Sequence, residues 1–363
     1  MSQNTQESKV IVLAAGGTGG HVLPAVAVGQ ALRNKFSARV VFFGTGRDLE
    51  KEILLAHQFE LVSVEVLPFV GKGIRGMLRC LLGLPTAFMK ARKELGALAP
   101  RAVLGFGGFP SFVPIVAAWS KGIPCFIQEQ NVQVGLANKA LSLLAQKVFA
   151  VTGAKGFFRS RRVKHVSNPV RHQFLEVPDW KLPVGDEPLT VLVMGGSQGA
   201  RALNDAFIEL APRLSQMGVR LIHQTGKADA DRVENAYKEI PGLNYRAFGF
   251  TKDTATLLAE SHVVVSRAGA LTVAEVAATG RPGIYVPLPI AGGHQRLNCQ
   301  EVAKIGAAVI VDQDTRLAEN LLALLKSFCG DCNRLKDMAY RAKAFSQMQG
   351  AGSSEFIAQS VWE

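Results

Sequence analysis

Apolar residues in this chain come in short blocks, each closed by glycine or a polar turn and followed by a run with helical spacing. Val10–Ala14 is the first such block and predicts a buried parallel strand. Gly16, Gly17, Thr18, Gly19, Gly20 and His21 follow, and then Val22, Val26, Ala27, Gln30 and Ala31 repeat at a helical period. The same alternation predicts strands at Arg39–Gly44, 60–66, 102–108, 124–127 and Lys147–Ala150, with a helix over 114–120. The pattern restarts at a strand over 189–194, a second glycine turn from Gly195 to Gly199, and a helix over 200–214. Strands at 220–223, 245–249, 263–265, 283–286 and 308–311 follow, and the run from about 332 to 362 reads as helix with a break near Gly350, Ala351 and Gly352. Gly195 lies 179 residues after Gly16, so two similar α/β units stand in tandem, each a doubly wound parallel sheet. The junction falls near Asn168, Pro169, Val170 and Arg171, where proline punctuates the chain and its charge changes sign.

Composition narrows the class. A chain of 363 residues with 48% apolar and 19% charged residues has enough apolar surface for two globular cores. It contains no run of about 18 apolar residues and no apolar leader behind its polar start, so a cytosolic protein is expected. Five scattered cysteines suit reduced thiols, and the isolated pair Cys329 and Cys332 lacks the companions of a redox or zinc motif. The net charge of +12 is one-sided: residues 1–170 hold 21 Lys and Arg against 8 Asp and Glu, whereas 171–363 hold 20 against 21. The first half should therefore face something anionic: a phosphorylated substrate, a nucleic acid or a membrane surface.

No acid occurs between Glu65 and Glu94, where Lys72, Arg75, Arg79, Lys90, Arg92 and Lys93 alternate with Ile74, Met77, Leu78, Leu81, Leu82, Leu84, Phe88 and Met89. Two placements fit this composition: the headgroup layer of an anionic membrane, or a helix packed on the core with solvated cations.

A glycine turn between strand and helix lets backbone N–H groups and a helix N-terminus approach an anion. The first turn lacks a ribose-gripping acid at the end of the second strand, where Phe43, Gly44 and Thr45 stand, so a nicotinamide fingerprint is missing. No Gly-Lys-Ser/Thr follows either turn, which excludes a P-loop. The second turn adds the Ser197 hydroxyl and suits a diphosphate. After the strand 263–265, Gly269 opens a helix in which Glu275 either accepts from a ribose diol or is a surface acid near a helix N-terminus. Asp229 with Asp231, and Asp312 with Asp314, have the Asp-x-Asp spacing of metal-dependent transferases but no third ligand nearby, so no metal is expected. Of seven histidines only His21 and His294 sit in glycine-rich turns, and His21 is placed to move a proton. Gln128, Glu129, Gln130 and Asn131 end a strand, so their polar groups reach the sheet edge where open α/β folds bind ligands.

In order along the chain, GGTGGHVLPAVAVGQAL, GFGGFPSFVP, QEQN, SNPVR, GGSQGARALN, RAGALTVAEVAATGRP and HQRLNC resemble the motifs of the MurG family, family 28 of the glycosyltransferases. The resemblance runs from about residue 10 to 298 and implies a GT-B fold, two Rossmann-like domains facing across a cleft. It implies domains at 1–168 and 169–344, with a C-terminal helix at about 345–363 packing back on the first. The family is inverting and metal-independent, needs no cofactor, and transfers N-acetylglucosamine from UDP-GlcNAc to the 4-hydroxyl of lipid I, giving lipid II for peptidoglycan. The resemblance makes His21 the general base and puts Thr18, Gly19 and Gly20 at the acceptor or diphosphate turn. It puts Asn131 and Gln295 at the donor sugar, and Arg171, Ser197 and Gln198 at the diphosphate. Ala270, Leu271, Thr272, Val273, Ala274 and Glu275 would hold the nucleoside, Glu275 on the ribose, with the backbone near Thr251 at the uracil. An anionic membrane would bind through about 66–93 at the cytoplasmic face, with no nucleic-acid partner. Two positions depart from the family pattern: Phe109, where Tyr is frequent, and Gly293, where an acid often precedes His-Gln.

Two other classes compete. A UDP-GlcNAc 2-epimerase shares the architecture but needs carboxylates around the sugar, and the first half is poor in them. A non-enzymatic basic module would bind nucleic acid or membrane through 66–93, yet four tyrosines and three tryptophans offer little stacking surface.

Overall fold

The computed structural model of the chain describes residues 9–64, 73–196, 199–251, 253–289, 293–348 and 352–363, with side chains at these positions except 73–81 and 332. The chain divides into two compact units, Met1–Arg171 with Gly352–Glu363, and His172–Ala351.

In the first unit β1 (Val10–Ala14), β2 (Arg39–Gly44), β3 (Glu60–Ser63), β4 (Ala102–Gly105), β5 (Cys125–Glu129), β6 (Lys147–Ala150) and β7 (Val163–His165) form one sheet in the order β3-β2-β1-β4-β5-β6-β7. Every pairing is parallel. A parallel sheet buried on both faces needs apolar residues at successive positions, and Ile11, Val12, Leu13 and Ala14 are all fully buried. The strand order reverses between β1 and β4, where an open sheet leaves a crevice at the carboxyl ends of its strands. The glycine turns after these two strands lie at that point.

In the second unit β8 (Thr190–Met194), β9 (Arg220–Gln224), β10 (Asn244–Phe248), β11 (Val263–Ser266), β12 (Gly283–Tyr285) and β13 (Ala308–Ile310) give the order β10-β9-β8-β11-β12-β13, again all parallel. Its switch point lies between β8 and β11, so the second glycine turn and the helix Ala270–Ala278 open from the same edge.

Some expectations shift. β3 stops at Ser63, Val64 lies past its end, and 65 and 66 of the expected span lie outside the described residues. β7 has no counterpart in the apolar pattern, because Lys164 and His165 are exposed and Val163 is only half-buried. The helix after β4 starts at Gly108 rather than near Pro114. Pro110 fits its first turn, where backbone N–H groups need no intrahelical acceptor.

The unit boundaries fall at 171/172 and 351/352, against an expected 168/169 and about 344/345. The run 332–362 forms two helices with different allegiances. Cys332–Met348 stays with the second unit, where Lys343 pairs with Asp179 at 3.1 Å and Arg341 donates to the Ile305 carbonyl at 3.0 Å. Ser353–Trp362 belongs to the first, with Ile357, Ala358 and Val361 buried in the cluster of Ile11, Leu13, Val22 and Val26. Trp362 stacks on Phe36 at 5.1 Å, and Arg101 donates to the Trp362 and Glu363 carbonyls.

The basic-apolar stretch is described from Gly73 onward as the helix Gly73–Leu98. Ala87, Ala91 and Leu95 form its buried stripe, at i, i+4 spacing, within the core of the first unit. Leu82 and Met89 are exposed, as are Lys90 and Lys93. Residues 66–72 of the stretch lie outside the described residues. Among the described residues no helix is long and apolar enough to cross a membrane.

Candidate active site

The first glycine turn is held from beneath by a carboxylate. Glu50, on the helix Asp48–Ala56, is only 2% exposed and accepts from the Gly17 N–H at 2.6 Å, the Thr45 N–H at 2.8 Å, the Thr45 hydroxyl at 2.5 Å and the Gly46 N–H at 2.9 Å. A Cβ at Gly16 would lie 2.9 Å from the Glu50 carboxylate, so this approach requires glycine. Arg47 donates to the Gly17 carbonyl at 3.4 Å and brings a cation to the turn. The helix Gly19–Phe36 takes up its own bonds only when the His21 and Val22 N–H groups reach the Thr18 carbonyl. Gly19 and Gly20 therefore lead it with N–H groups that the helix does not use.

His21, half-buried in this first helical turn, sits against the end of β5, with its Nδ1 3.1 Å from the Gln130 Oε1. Period-two alternation sends Gln128 and Gln130 to one side and Glu129 to the other. Gln130 Nε2 donates to the Phe106 carbonyl at 2.8 Å and to the Gln128 Oε1 at 2.5 Å. Gln128 Nε2 donates to the Asn168 Oδ1 at 3.2 Å, and Asn168 Nδ2 to the Gln130 carbonyl at 3.0 Å. On the other side the buried Glu129 accepts from Asn131 (N–H 2.9 Å, Nδ2 3.2 Å), the Gly135 N–H at 3.1 Å and Asn138 Nδ2 at 2.9 Å, which fixes the loop carrying Asn131. Gly108, at φ +68°, faces the ring: a Cβ there would be 3.3 Å from His21 Nε2. Arg171, half-buried, ends the first unit near His57, whose pKa is lowered by burial and then by Arg171 and Arg33.

In the second unit the glycine turn is held by an amide. Gln224 at the end of β9 accepts from the Gly196 N–H at 3.0 Å and donates to the carbonyls of Gly196 at 2.9 Å and Gly249 at 3.1 Å. Gly199 has φ +76°, and a Cβ would meet the Thr225 carbonyl at 2.5 Å. Ser197 and Gln198, expected at the diphosphate, lie outside the described residues. The helix Arg201–Gln216 follows. Its Asn204 accepts from His223 Nε2 at 3.0 Å and donates to the Thr225 carbonyl and to Asp229, while His223 Nδ1 lies 2.7 Å from the Tyr237 hydroxyl. Burial holds His223 at a pKa of about 3, so this histidine is a neutral core group.

The helix Ala270–Ala278 begins at the edge after β11. Leu271 and Val273 turn their side chains into the core, so only their backbone is available to a ligand, while Ala270, Thr272, Ala274 and Glu275 are half-buried. Thr251 follows β10, with its hydroxyl accepting from the Asp253 N–H at 3.1 Å. Gln295 Oε1 accepts from the Leu288 N–H at 3.0 Å and holds the loop after β12. Because the sheet is parallel, these elements all leave from its carboxyl edge. Three of the four Asp-x-Asp carboxylates are engaged otherwise. Asp229 binds Arg232 at 2.6 Å, which with Asn204 lowers its pKa to about 2, Asp312 pairs with Arg296, and Asp314 accepts from the Arg316 N–H.

Two residues of this site were not legible in sequence. Glu50 looks like an ordinary first-turn acid, and Gln224 like the polar end of a strand. Each acts on a glycine roughly 30 residues away, a distance that local pattern does not span.

The family model described as the Glycosyltransferase family 28 N-terminal domain matches residues 11–150, and that described as its C-terminal domain matches 190–351. The UDP-N-acetylglucosamine--N-acetylmuramyl-(pentapeptide) pyrophosphoryl-undecaprenol N-acetylglucosamine transferase of Aeromonas hydrophila is 39% identical over 93% of this chain and 92% of its own length. The protein of the same name from Alkalilimnicola ehrlichii is 37% identical, covering 94% and 96%. Among solved structures, MurG of Acinetobacter baumannii superposes with a TM-score of 0.77 at 31% identity, covering 98% of this chain and 99% of that one. A UDP-GlcNAc 2-epimerase from Neisseria meningitidis, with bound UDP-GlcNAc, reaches 0.68 over 98% and 99% at only 15% identity, a likeness of fold alone.

Proposed function

The chain belongs to glycosyltransferase family 28, and from that premise we infer that it transfers N-acetylglucosamine from UDP-GlcNAc to lipid I, giving lipid II for peptidoglycan synthesis. Its two Rossmann-like units have the GT-B fold. The observation that carries the function is full-length likeness to transferases of that name, at an identity far above that of the epimerase.

The reaction uses the two units differently. We assign the acceptor to the first unit, with Thr18, Gly19 and Gly20 around it and His21 as general base, and the donor to the second. The acceptor 4-hydroxyl attacks the anomeric carbon, and its proton passes to His21 Nε2 as the new C–O bond forms. The bond from that carbon to the β-phosphate oxygen breaks, and its electron pair leaves with UDP. Arg171 and the helix N-terminus that follows Gly196 and Gly199 stabilise that leaving charge, with Ser197 and Gln198 assigned to the diphosphate. Glu275 accepts from the ribose diol, and Ala270, Leu271, Thr272, Val273 and Ala274 enclose the nucleoside largely through backbone. Thr251 lies at the uracil, and Asn131 and Gln295 contact the sugar. The exposed Leu82, Met89 and Trp119 together with Lys90, Lys93 and Lys121 suit an anionic membrane surface, which supports a place at the cytoplasmic face of the membrane.

Incubation with UDP-GlcNAc, with and without a short-chain lipid I analogue, tests the function. Transfer that requires acceptor is expected, and a new UDP-sugar formed without acceptor would favour the epimerase. A chelator should leave the rate unchanged, since Asp229 and Asp312 are engaged with arginine side chains and Asp314 with a backbone N–H.

A further inference from the structure

We propose that Gln130 is a positioning residue that holds His21 in its Nδ1–H tautomer, so that the lone pair needed to take the acceptor's proton sits on Nε2. The proposal rests on the assignment of His21 as general base and adds how the ring is prepared for that task.

The orientation of Gln130 follows from partners that have no choice of role. The Phe106 carbonyl, 2.8 Å away, only accepts, so the Gln130 nitrogen must face it. A second carbonyl anchors the other end of the amide chain. The Gln130 backbone oxygen, 3.0 Å from Asn168, requires the Asn168 nitrogen there and turns Asn168 Oδ1 toward Gln128. That oxygen takes the Gln128 nitrogen, so Gln128 Oε1 turns toward Gln130 and receives its second N–H at 2.5 Å. The chain gives the same answer from either end. Both N–H groups of Gln130 are used, and its Oε1 is the atom 3.1 Å from His21 Nδ1. A carboxamide oxygen only accepts, so Nδ1 must donate.

In a neutral imidazole one nitrogen donates and the other accepts. With the proton on Nδ1, Nε2 is basic, and it is Nε2 that lies toward the glycine turn at Gly108, where a Cβ would stand 3.3 Å from it. Gln130 is 3% exposed and Gln128 fully buried, so water does not compete for these bonds. Ser353, at the start of the last helix, donates to the Asn168 carbonyl at 3.2 Å and ties the far end of the chain to the C-terminus.

Nitrogen-15 NMR of histidine-labelled full-length enzyme, with the His21 signals assigned by their absence in His21→Ala, reads the tautomer directly. The wild-type ring should be Nδ1–H when neutral. Gln130→Met, which keeps length but has no N–H and only a weakly accepting sulfur, should lose that preference. It should lower kcat by about 10-fold, the scale of one neutral hydrogen bond, with the KM for UDP-GlcNAc unchanged. A wild-type ring in the Nε2–H form overturns the proposal whether or not the variant folds, and so does an unchanged kcat in folded Gln130→Met. Near-full turnover in His21→Ala would instead sink the general-base assignment, and it would leave the wild-type spectrum as it is.

Discussion

The two glycine turns share a strand-turn-helix frame but are held by different chemistry. In the first, Glu50 takes the Gly17 N–H and three further donors, and the turn runs into His21. In the second, Gln224 takes the Gly196 N–H and returns a hydrogen bond to the Gly196 carbonyl. The first turn spends the Gly17 N–H on its own support, and the second those of Gly195, Gly196 and Gly199. The first is backed by a carboxylate and runs into a histidine that can take a proton, which suits a sugar hydroxyl. The second is clamped by a neutral group and leaves the field of its helix N-terminus uncancelled, which suits a diphosphate. The histidines divide in the same way. His21 is half-buried with one nitrogen facing a glycine gap, whereas His223 has both nitrogens bonded within the core.

The sharpest way to break this division is His21→Ala. Turnover with lipid I or a short-chain analogue should fall about 10²- to 10⁴-fold while donor affinity persists. On the donor side, Glu275→Ala should raise the KM for UDP-GlcNAc about 10- to 100-fold with a smaller change in kcat, the scale of a charge-assisted hydrogen bond. An unchanged KM would return Glu275 to an ordinary acid near a helix N-terminus.

The clamps should differ in stability. Glu50→Gln turns an NH₂ group toward backbone donors and should lower the unfolding free energy by about 2 kcal/mol, against about 1 kcal/mol for Gln224→Met. Equal losses in denaturant titrations would mean that the charge of Glu50 is incidental.

Acid should weaken the second unit through its buried histidine. The folded pKa of His223, about 3, lies below its ordinary 6.5, so the unfolded chain binds more protons between those values. Stability is full above about pH 6.5 and falls toward pH 3, by at most about 1.4 kcal/mol per pH unit from this group. Asp229, depressed from 3.8 to about 2, adds to the loss only at lower pH. Hydrogen exchange in β8 and β9 that is flat from pH 7 to 4, after correction for intrinsic rates, would contradict the assignment. The smallest effects belong to the membrane surface: Leu82→Ser and Met89→Ser should each weaken binding to anionic vesicles about threefold to tenfold.

Much of this was legible in the residues because parallel strands buried on both faces must be apolar throughout. β2 and β6 match their expected spans, and the repeat of strand and glycine turn foretold two similar units. β7 was not legible, since an edge strand with exposed Lys164 and His165 carries no such signature. At the site the glycines and His21 stood out, because few other residues meet those backbone demands or that proton chemistry. Their supports did not. What Glu50 and Gln224 do depends on partners about 30 positions distant, and the role of Gln130 depends on Phe106, Gln128 and Asn168 at once. A helix pattern also cannot tell that Cys332–Met348 stays with the second unit while Ser353–Trp362 returns to the first.

The division of labour between the turns is tested most directly by amide hydrogen exchange on the full-length protein with and without UDP-GlcNAc. Protection should appear in the segments around 195–204 and 270–278, with little change at 16–22. Protection concentrated at 16–22, with none in the second unit, would contradict it.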